Sequence, residues 1–143
     1  MSTPEEIVRA TLQAMNDRDL ERIRDLIAPD FVDHGLPRGV VPPGPDGYIA
    51  TLTWVTEVLQ VRYEIHDVIV DGDDVAVRAT AHGVHNTDHL GVPATGKPFA
   101  MPTMHQMKFR DGLMAEHWGI RDEWSVLVQV GALVPSLPEL APA

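Results

Sequence analysis

The spacing of the apolar residues changes near residue 62, and this change limits the folds open to the chain more than any other feature. Up to residue 59 the apolar side chains recur at helical spacing, whereas from residue 63 onward they alternate with polar ones. Alternation is typical of strands that bury one face, and four such runs occupy residues 63–70, 75–84, 98–110 and 113–121. Asp111-Gly112 separates the last two runs and favours a tight hairpin turn. We therefore predict a four-stranded antiparallel meander preceded by helices.

The segment before the meander is predicted to be mostly helical. Thr3-Pro4-Glu5-Glu6 has the N-cap, proline and glutamate of a capping box, so a first helix should run from Pro4 to about Met15. A second apolar stripe, from Leu20 to Ile27, should complete a helical hairpin that ends at Pro29. After this hairpin we expect a short strand at 31–34, a loop rich in proline and glycine at 35–47, and a third helix at 48–59.

One domain accounts for the chain. Its 143 residues suit a single core, which we assign to residues 1–134. A last helix is expected over 124–131, and the proline-rich tail at 135–143 should be poorly ordered. Helices that cover one concave face of a curved antiparallel sheet make an α+β fold shaped like a cone. Part of that face should remain open as a small-molecule pocket.

Charge and composition exclude several classes of protein. The formal net charge of -10 opposes binding to nucleic acids and anionic membranes, and no apolar run approaches the roughly 18 residues of a membrane-spanning helix. Without cysteines the chain has neither disulfides nor thiolate metal sites. No secretory segment is recognised, so a cytoplasmic location is expected. His82, His85 and His89 do not have the spacing of a known metal site, and no phosphate or dinucleotide motif is present, so we predict neither metal nor cofactor.

The final hairpin is predicted to carry the pocket. If Arg110 pairs with Leu113 across a two-residue turn, His105 lies opposite Trp118, and cross-strand partners share a face. The composition of the two faces indicates which is inner. The predicted inner set is His105, Met107, Phe109, Met114, Glu116, Trp118, Ile120 and Asp122. A shift of one residue in the pairing would turn one strand's set outward. His34, Tyr48 and Trp54 are further candidates for contact with a substrate.

Two residues of this set are candidates for acid/base chemistry. Asp122 ends an apolar wall, where partial burial would raise its pKa and suit it to proton transfer. It is equally well placed to cap the helix that begins near Trp124. His105 could share protons with a pocket carboxylate or contact a substrate oxygen, and it could also be a satisfied structural histidine. Glu116 is a weaker candidate because it lies nearer the turn.

Two segments resemble SnoaL-like polyketide cyclases, within the nuclear transport factor 2-like superfamily. Residues 83–97, GVHNTDHLGVPATGK, are similar to the family's G-T-H-T-G and L-G-x-P-x-T-G-K segments. Residues 116–122, EHWGIRD, resemble E-H-W-x-x-x-D, and Gln129-Val130-Gly131 resembles the closing Q-x-G. With the order of the helices included, the resemblance spans roughly residues 4 to 133. Val84 and residues 86–89 depart from the family pattern and indicate a differently shaped pocket mouth.

The resemblance implies a cone-shaped α+β barrel and an enzyme that needs no cofactor. In such cyclases the aspartate that ends E-H-W-x-x-x-D is the general acid/base of an intramolecular aldol reaction, and by position this role falls on Asp122. We expect an apolar, carbonyl-bearing substrate and a homodimer formed through the convex sheet face, at Met104, Gln106, Lys108 and Leu113. Isomerisation, dehydration or epoxide opening are alternatives, as is a module that binds a small molecule without catalysis.

Overall fold

The structure is a computed structural model that describes residues 2–36 and 39–136. Its described part contains three α-helices, a short 3-10 helix and one five-stranded sheet. In chain order the elements are α1 (Pro4–Asp17), the 3-10 helix (Glu21–Leu26), β1 (Ile27–Asp33), α2 (Pro45–Glu57), β2 (Arg62–Asp71), β3 (Asp74–Val84), β4 (Pro98–Arg110), β5 (Leu113–Arg121) and α3 (Glu123–Gln129).

The first helix begins where its capping residues predict. The Thr3 hydroxyl accepts the backbone N–H of Glu6 at 3.2 Å, and the Glu6 carboxylate accepts the backbone N–H of Thr3 at 2.8 Å. This reciprocal pair satisfies two of the N–H groups that a helix start leaves unpaired. Ile7, Val8 and Leu12 then face the core, so the capping box and the apolar stripe together fix α1 against the sheet.

The predicted helical hairpin is wrong in its second half. The helical turns after α1 are 3-10 and end at Leu26, and Ile27 already belongs to β1, which continues through Pro29 to Asp33. β1 pairs in parallel with β5, an interaction between residues more than 80 positions apart that local periodicity does not show. Tertiary pairing has therefore overridden the helical spacing at this point. The predicted short strand at residues 31–34 is the second half of β1.

The sheet has the strand order β1-β5-β4-β3-β2. β2 to β5 form the predicted antiparallel meander, and β1 is added at one edge. Along β4 every second side chain is buried, whereas the residues between them are exposed. The buried set consists of Phe99, Met101, Thr103, His105, Met107 and Phe109. The sheet is open and mixed, and the predicted α+β class, with helices packed on one sheet face, is confirmed.

The register of the last hairpin differs from the prediction by one residue beyond its first pairs. Asp111 and Gly112 both have positive φ, as expected of a tight two-residue turn, and Arg110 pairs with Leu113. A bulge follows, at which the consecutive residues Met114 and Ala115 are both buried. As a result, Lys108 lies opposite Glu116. From Glu116 onward, the pairing of β5 with β4 differs by one residue from the predicted register.

The shift reverses which residues of β5 face inward. His117 is 4% exposed, whereas Ile120 is 75% exposed. The predicted inner positions of Glu116, Trp118, Ile120 and Asp122 are therefore wrong. A one-residue slip has this effect because successive side chains of a strand point to opposite faces.

Two groups of apolar side chains form the interior. The larger joins α1, β1 and α2 to the middle of the sheet, and the smaller joins α3 to the start of β2 and β4. None of the described helices is both long enough and apolar enough to cross a membrane. α2 begins at Pro45, three residues before the prediction. Of the predicted tail at 135–143, residues 137–143 lie outside the described part, as do residues 37 and 38 of the predicted loop.

Candidate functional site

Three polar side chains form a buried chain of hydrogen bonds across the inner face of the sheet. Asp33 Oδ1 lies 2.9 Å from Nδ1 of His117, and Nε2 of His117 lies 2.9 Å from Nδ1 of His105. Asp33 ends β1, His117 lies on β5 and His105 lies on β4, so neighbouring strands supply one member each. We call these residues the relay. At its far end, Nε2 of His105 is buried and has no hydrogen-bond partner in the described structure.

Aromatic rings hold the two imidazoles in place. The rings of His105 and His117 stack with centroids 5.2 Å apart. The ring of Tyr63 meets His105 edge-on at 5.8 Å, and the ring of Tyr48 lies 6.0 Å from His117. Gly119 provides the remaining space, since a Cβ at this position would approach His105 Nδ1 to 3.2 Å. The backbone of β5 therefore passes close to the relay without a side chain between them.

The environment favours an ionised aspartate and a neutral His105. Burial by itself would raise the pKa of Asp33, but the hydrogen bond and the charge of His117, together with the Gly35 N–H and the Arg121 guanidinium, hold that pKa below its ordinary value. Burial, together with the neighbouring His117 and Arg121, lowers the pKa of His105 from 6.5 to about 3. A positive charge in the relay is therefore disfavoured at His105 itself.

A cavity of about 260 Å³ lies between α2, α3 and the ends of β2 and β4. The relay residues themselves do not line it, and Asp33 instead lines a separate cavity of about 510 Å³. The wall of the 260 Å³ cavity is mostly apolar, with a few polar side chains. Tyr63 and Arg121 belong to both the wall and the surroundings of the relay, because both adjoin His105. Burial raises the pKa of Tyr63, so its hydroxyl stays protonated as a donor. The lining residues are Gly35, Leu36, Thr51, Trp54, Val55, Leu59, Val61, Tyr63, His85, His89, Phe99, Met101, Arg121, Glu123 and Val126.

Asp122 lies outside this cavity. It is exposed, and its Oδ1 accepts the backbone N–H of Ser125 at 3.0 Å, so it is the N-cap of α3. Of the two interpretations of this residue, the structure shows the cap. The predicted burial of Asp122 is wrong, because the bulge in β5 moves the residues that follow it to the opposite face of the sheet. A catalytic role for Asp122 stays a prediction.

The other predicted contact residues are dispersed. Trp54 lines the 260 Å³ cavity, while His34 and Tyr48 line a second cavity of about 510 Å³ beside the loop after β1. Met107 and Phe109 are buried within the larger apolar cluster. On the outer face, Trp118 stacks on His34 at 4.5 Å, Glu116 accepts a hydrogen bond from His34 at 3.0 Å if His34 Nε2 is protonated, and Ile120 is exposed.

Sequence reasoning placed one member of the relay, His105, and missed Asp33 and His117. His117 is absent from the predicted inner set, although the consecutive apolar residues Leu113-Met114-Ala115 beside the turn are a sequence signal of the bulge that turns it inward. Asp33 had no such signal, because only the parallel pairing of β1 with β5 brings it to His117. Within residues 2–36 and 39–136, no three histidine, aspartate or glutamate side chains are grouped as metal ligands.

Comparison with known proteins agrees with this architecture. The family model described as SnoaL-like polyketide cyclase matches residues 5–130. The chain is 24% identical over 139 residues to aklanonic acid methyl ester cyclase DnrD of Streptomyces peucetius, and the match covers 95% of this chain and 96% of that protein.

Solved structures give the same result. IdmH of Streptomyces antibioticus is 34% identical with a TM-score of 0.76, and the match covers 91% of this chain and 99% of IdmH. A SnoaL-like polyketide cyclase from Agrobacterium tumefaciens has a TM-score of 0.78 at 18% identity, with 92% of this chain and 100% of that chain covered. The second likeness is one of fold alone.

Proposed function

The chain belongs to the SnoaL-like polyketide cyclase family and is an enzyme, and from this premise we propose that it cyclises an apolar, carbonyl-bearing small molecule through proton transfer at His105. The reaction is an intramolecular aldol addition that needs no cofactor. One observation carries the proposal. The relay ends in a buried imidazole nitrogen that has no partner in the described structure, and the Tyr63 ring that meets His105 edge-on lines a mostly apolar cavity.

The relay can accept a proton in a concerted way. In the resting state His117 donates its Nδ1–H to the Asp33 carboxylate and accepts Nδ1–H of His105, which leaves a lone pair on Nε2 of His105. A substrate C–H flanked by carbonyls gives its proton to that Nε2, and the Nδ1 proton of His105 moves to Nε2 of His117. The two electrons of the broken C–H bond remain on the substrate as an enolate.

This transfer places the positive charge where the protein stabilises it. His105 alone, with a pKa of about 3, would be a poor base near neutral pH. Because its other proton leaves for His117, the charge comes to rest on an imidazolium that is hydrogen-bonded to the ionised Asp33. After the enolate has attacked a second carbonyl, the reverse transfer protonates the resulting oxyanion.

The cavity supports a small aromatic or aliphatic substrate. Its wall includes Trp54, Phe99 and Met101, which offer apolar contact, while Tyr63 and Arg121 offer hydrogen-bond donors. The curated relative DnrD is an aklanonic acid methyl ester cyclase. Aklanonic acid methyl ester is therefore the first compound to test, and the structure of the product distinguishes cyclisation from isomerisation, dehydration or epoxide opening.

Two isosteric variants test the proposal against the role that the family resemblance gives to Asp122. Asp33→Asn replaces the acceptor of His117 Nδ1–H by an amide, and turnover should fall about 10²- to 10⁴-fold. Asp122→Asn keeps a good N-cap residue on α3 and should retain turnover within about threefold. Circular dichroism and thermal unfolding establish that both variants fold.

The opposite pattern, with Asp122→Asn inactive and Asp33→Asn active, would place the proton transfer at Asp122. Loss of turnover in both folded variants would also refute the relay as the sole acid/base. His105→Gln supplies an independent check, since it should be as inactive as Asp33→Asn.

We also propose that the protein forms a homodimer through the outer face of the sheet. Met104 and Ile120 are paired neighbours on β4 and β5 and are 51% and 75% exposed, and Gln106 and Lys108 continue the same face. Such an apolar pair with polar surroundings is typical of an interface. Light scattering should give twice the chain mass, and Ile120→Asp should halve it. A wild-type monomer at high micromolar concentration would contradict the proposal.

A further inference from the structure

His85 is buried in the wall of the cavity and takes no part in the relay. It follows the last residue of β3, is 2% exposed, and lines the 260 Å³ cavity together with Tyr63 and Arg121. Its backbone is held on both sides, because His85 N–H donates to Lys97 O at 2.8 Å and His85 O accepts the N–H of Thr95 at 3.0 Å. The imidazole is therefore fixed in position by the segment that follows it.

The contacts of Thr95 determine which ring nitrogen of His85 carries the proton. The backbone N–H of Thr95 reaches Nδ1 of His85 at 3.3 Å, and a backbone N–H can only donate. This N–H is shared between Nδ1 and His85 O, and because its proton points at Nδ1 we assign Nδ1 as the unprotonated acceptor. The Thr95 hydroxyl accepts the N–H of Lys97 at 3.3 Å and lies 2.9 Å from the same Nδ1, to which it donates its own proton in this tautomer. The neutral ring therefore carries its proton on Nε2.

That Nε2–H has no hydrogen-bond partner in the described structure and exposes almost no surface. A buried donor without an acceptor is costly, and proteins retain such groups where a ligand or a reaction makes use of them. Since Thr95 occupies the Nδ1 side of the ring, Nε2 is the ring nitrogen left to pair with a molecule in the cavity that His85 lines.

We propose that His85 donates its Nε2–H to a carbonyl oxygen of the substrate and stabilises the negative charge that forms there as the enolate develops. This inference rests on the proposed function for the identity of the reaction, but the hydrogen bond itself is a property of the cavity. A donor fixed in advance at the position where charge develops stabilises the transition state more than the ground state. The cavity should therefore prefer a flat apolar molecule that carries one acceptor oxygen.

The preference is measured with two probes of nearly the same shape. 1-Naphthol offers a phenolic oxygen that mimics the enolate, and naphthalene lacks it. Binding is followed by calorimetry and by tryptophan fluorescence, to which Trp54 contributes from the wall of the cavity. The wild type should bind 1-naphthol more tightly than naphthalene, and His85→Phe, which keeps a planar ring, should reduce that preference by about 10- to 100-fold. His82→Phe, on β3 with an exposed side chain, is the matched control and should keep the wild-type preference.

Nuclear magnetic resonance of the wild-type protein gives a second readout that does not depend on how well the variant folds. Long-range ¹H–¹⁵N correlations of the His85 ring, assigned through its contact with Thr95 in the wild type, should show a protonated Nε2 and an unprotonated Nδ1. Addition of 1-naphthol should shift the Nε2 signal. A wild type without preference for 1-naphthol, a preference that His85→Phe retains, or a ring protonated at Nδ1 would overturn the proposal.

Failure of this proposal can be distinguished from failure of the proposed function. His105→Gln should abolish turnover of aklanonic acid methyl ester and leave the preference for 1-naphthol intact. If His105→Gln remained active while His85→Phe lost the preference, the relay would be refuted and the hydrogen bond of His85 would stand. If His105→Gln were inactive and His85→Phe kept the preference, only the inference about His85 would fail.

Discussion

Replacement of His105 should make the protein less sensitive to acid, and the structure gives the magnitude. The pKa of His105 is lowered by burial from 6.5 to about 3 in the folded protein. Between these two values the unfolded chain binds a proton that the folded chain does not. The free energy of unfolding therefore falls as the pH falls from 6.5 toward 3, by up to about 1.4 kcal/mol per pH unit from this group.

The variant to compare is His105→Gln, which lacks the titrating ring and keeps an amide near His117. From about pH 6.5 to about pH 4.5 the wild type should lose about 2 kcal/mol more stability than the variant. Asp33 does not obscure this window. The pKa of Asp33 is lowered below its ordinary value of 3.8, so the stability it contributes is lost only at still lower pH.

Urea unfolding at constant ionic strength, followed by tryptophan fluorescence at several pH values, measures the two stability curves. His66→Gln, which removes an exposed histidine whose ring contacts the Thr80 hydroxyl, is the control and should run parallel to the wild type. Parallel curves for His105→Gln and the wild type would refute the reasoning. They would mean that His105 takes up a proton in the folded state as readily as in the unfolded chain.

Three further predictions concern packing around the site. Gly119→Ala introduces a Cβ 3.1 Å from His117 Cε1 and 3.2 Å from His105 Nδ1, so it should cost about 1–3 kcal/mol of stability and reduce turnover by displacing the rings, as chemical denaturation and an activity assay would show. Asp122→Ala removes the N-cap of α3 and should cost about 1 kcal/mol, whereas an unchanged unfolding midpoint would argue against the cap. Met107→Ala should cost about 2–5 kcal/mol and Ile120→Ala less than about 0.5 kcal/mol in a monomeric background, and equal effects would contradict the register.

The fold could be predicted from the sequence where local signals and tertiary structure agree. The capping box at Thr3, the tight turn at Asp111-Gly112 and the alternation along β3 and β4 all act over short distances, and the structure confirms each of them. The helical spacing of Leu20 to Ile27 misled the prediction because a 3-10 helix followed by an edge strand buries the same apolar residues.

The site could be predicted only in part because its geometry depends on one extra residue. A single bulge at Ala115 moves His117 and Arg121 inward and carries Asp122 to the surface. A hairpin with an ideal two-residue turn and one with a bulge next to that turn differ little in composition, so the face of every later residue was undetermined. The place of Asp33 in the site could not be predicted for a different reason, because parallel pairing between strands 84 positions apart leaves no local pattern in the sequence.

The unpartnered nitrogens give the strongest indication of where chemistry takes place in this fold. Among buried side-chain nitrogen and oxygen atoms of the described residues, those without a hydrogen-bond partner are Nε2 of His85 and Nε2 of His105. Both belong to rings whose Nδ1 is engaged by a neighbour, Thr95 in one case and His117 in the other. The other buried polar side-chain atoms of the described residues have hydrogen-bond partners. Two buried imidazole nitrogens without partners destabilise the fold, and packing alone does not explain why they are present. Tyr63 connects them, because its ring contacts His105 and lines the same cavity as His85. A substrate that filled the cavity could therefore satisfy one nitrogen as an acceptor of its N–H while it gave a proton to the other.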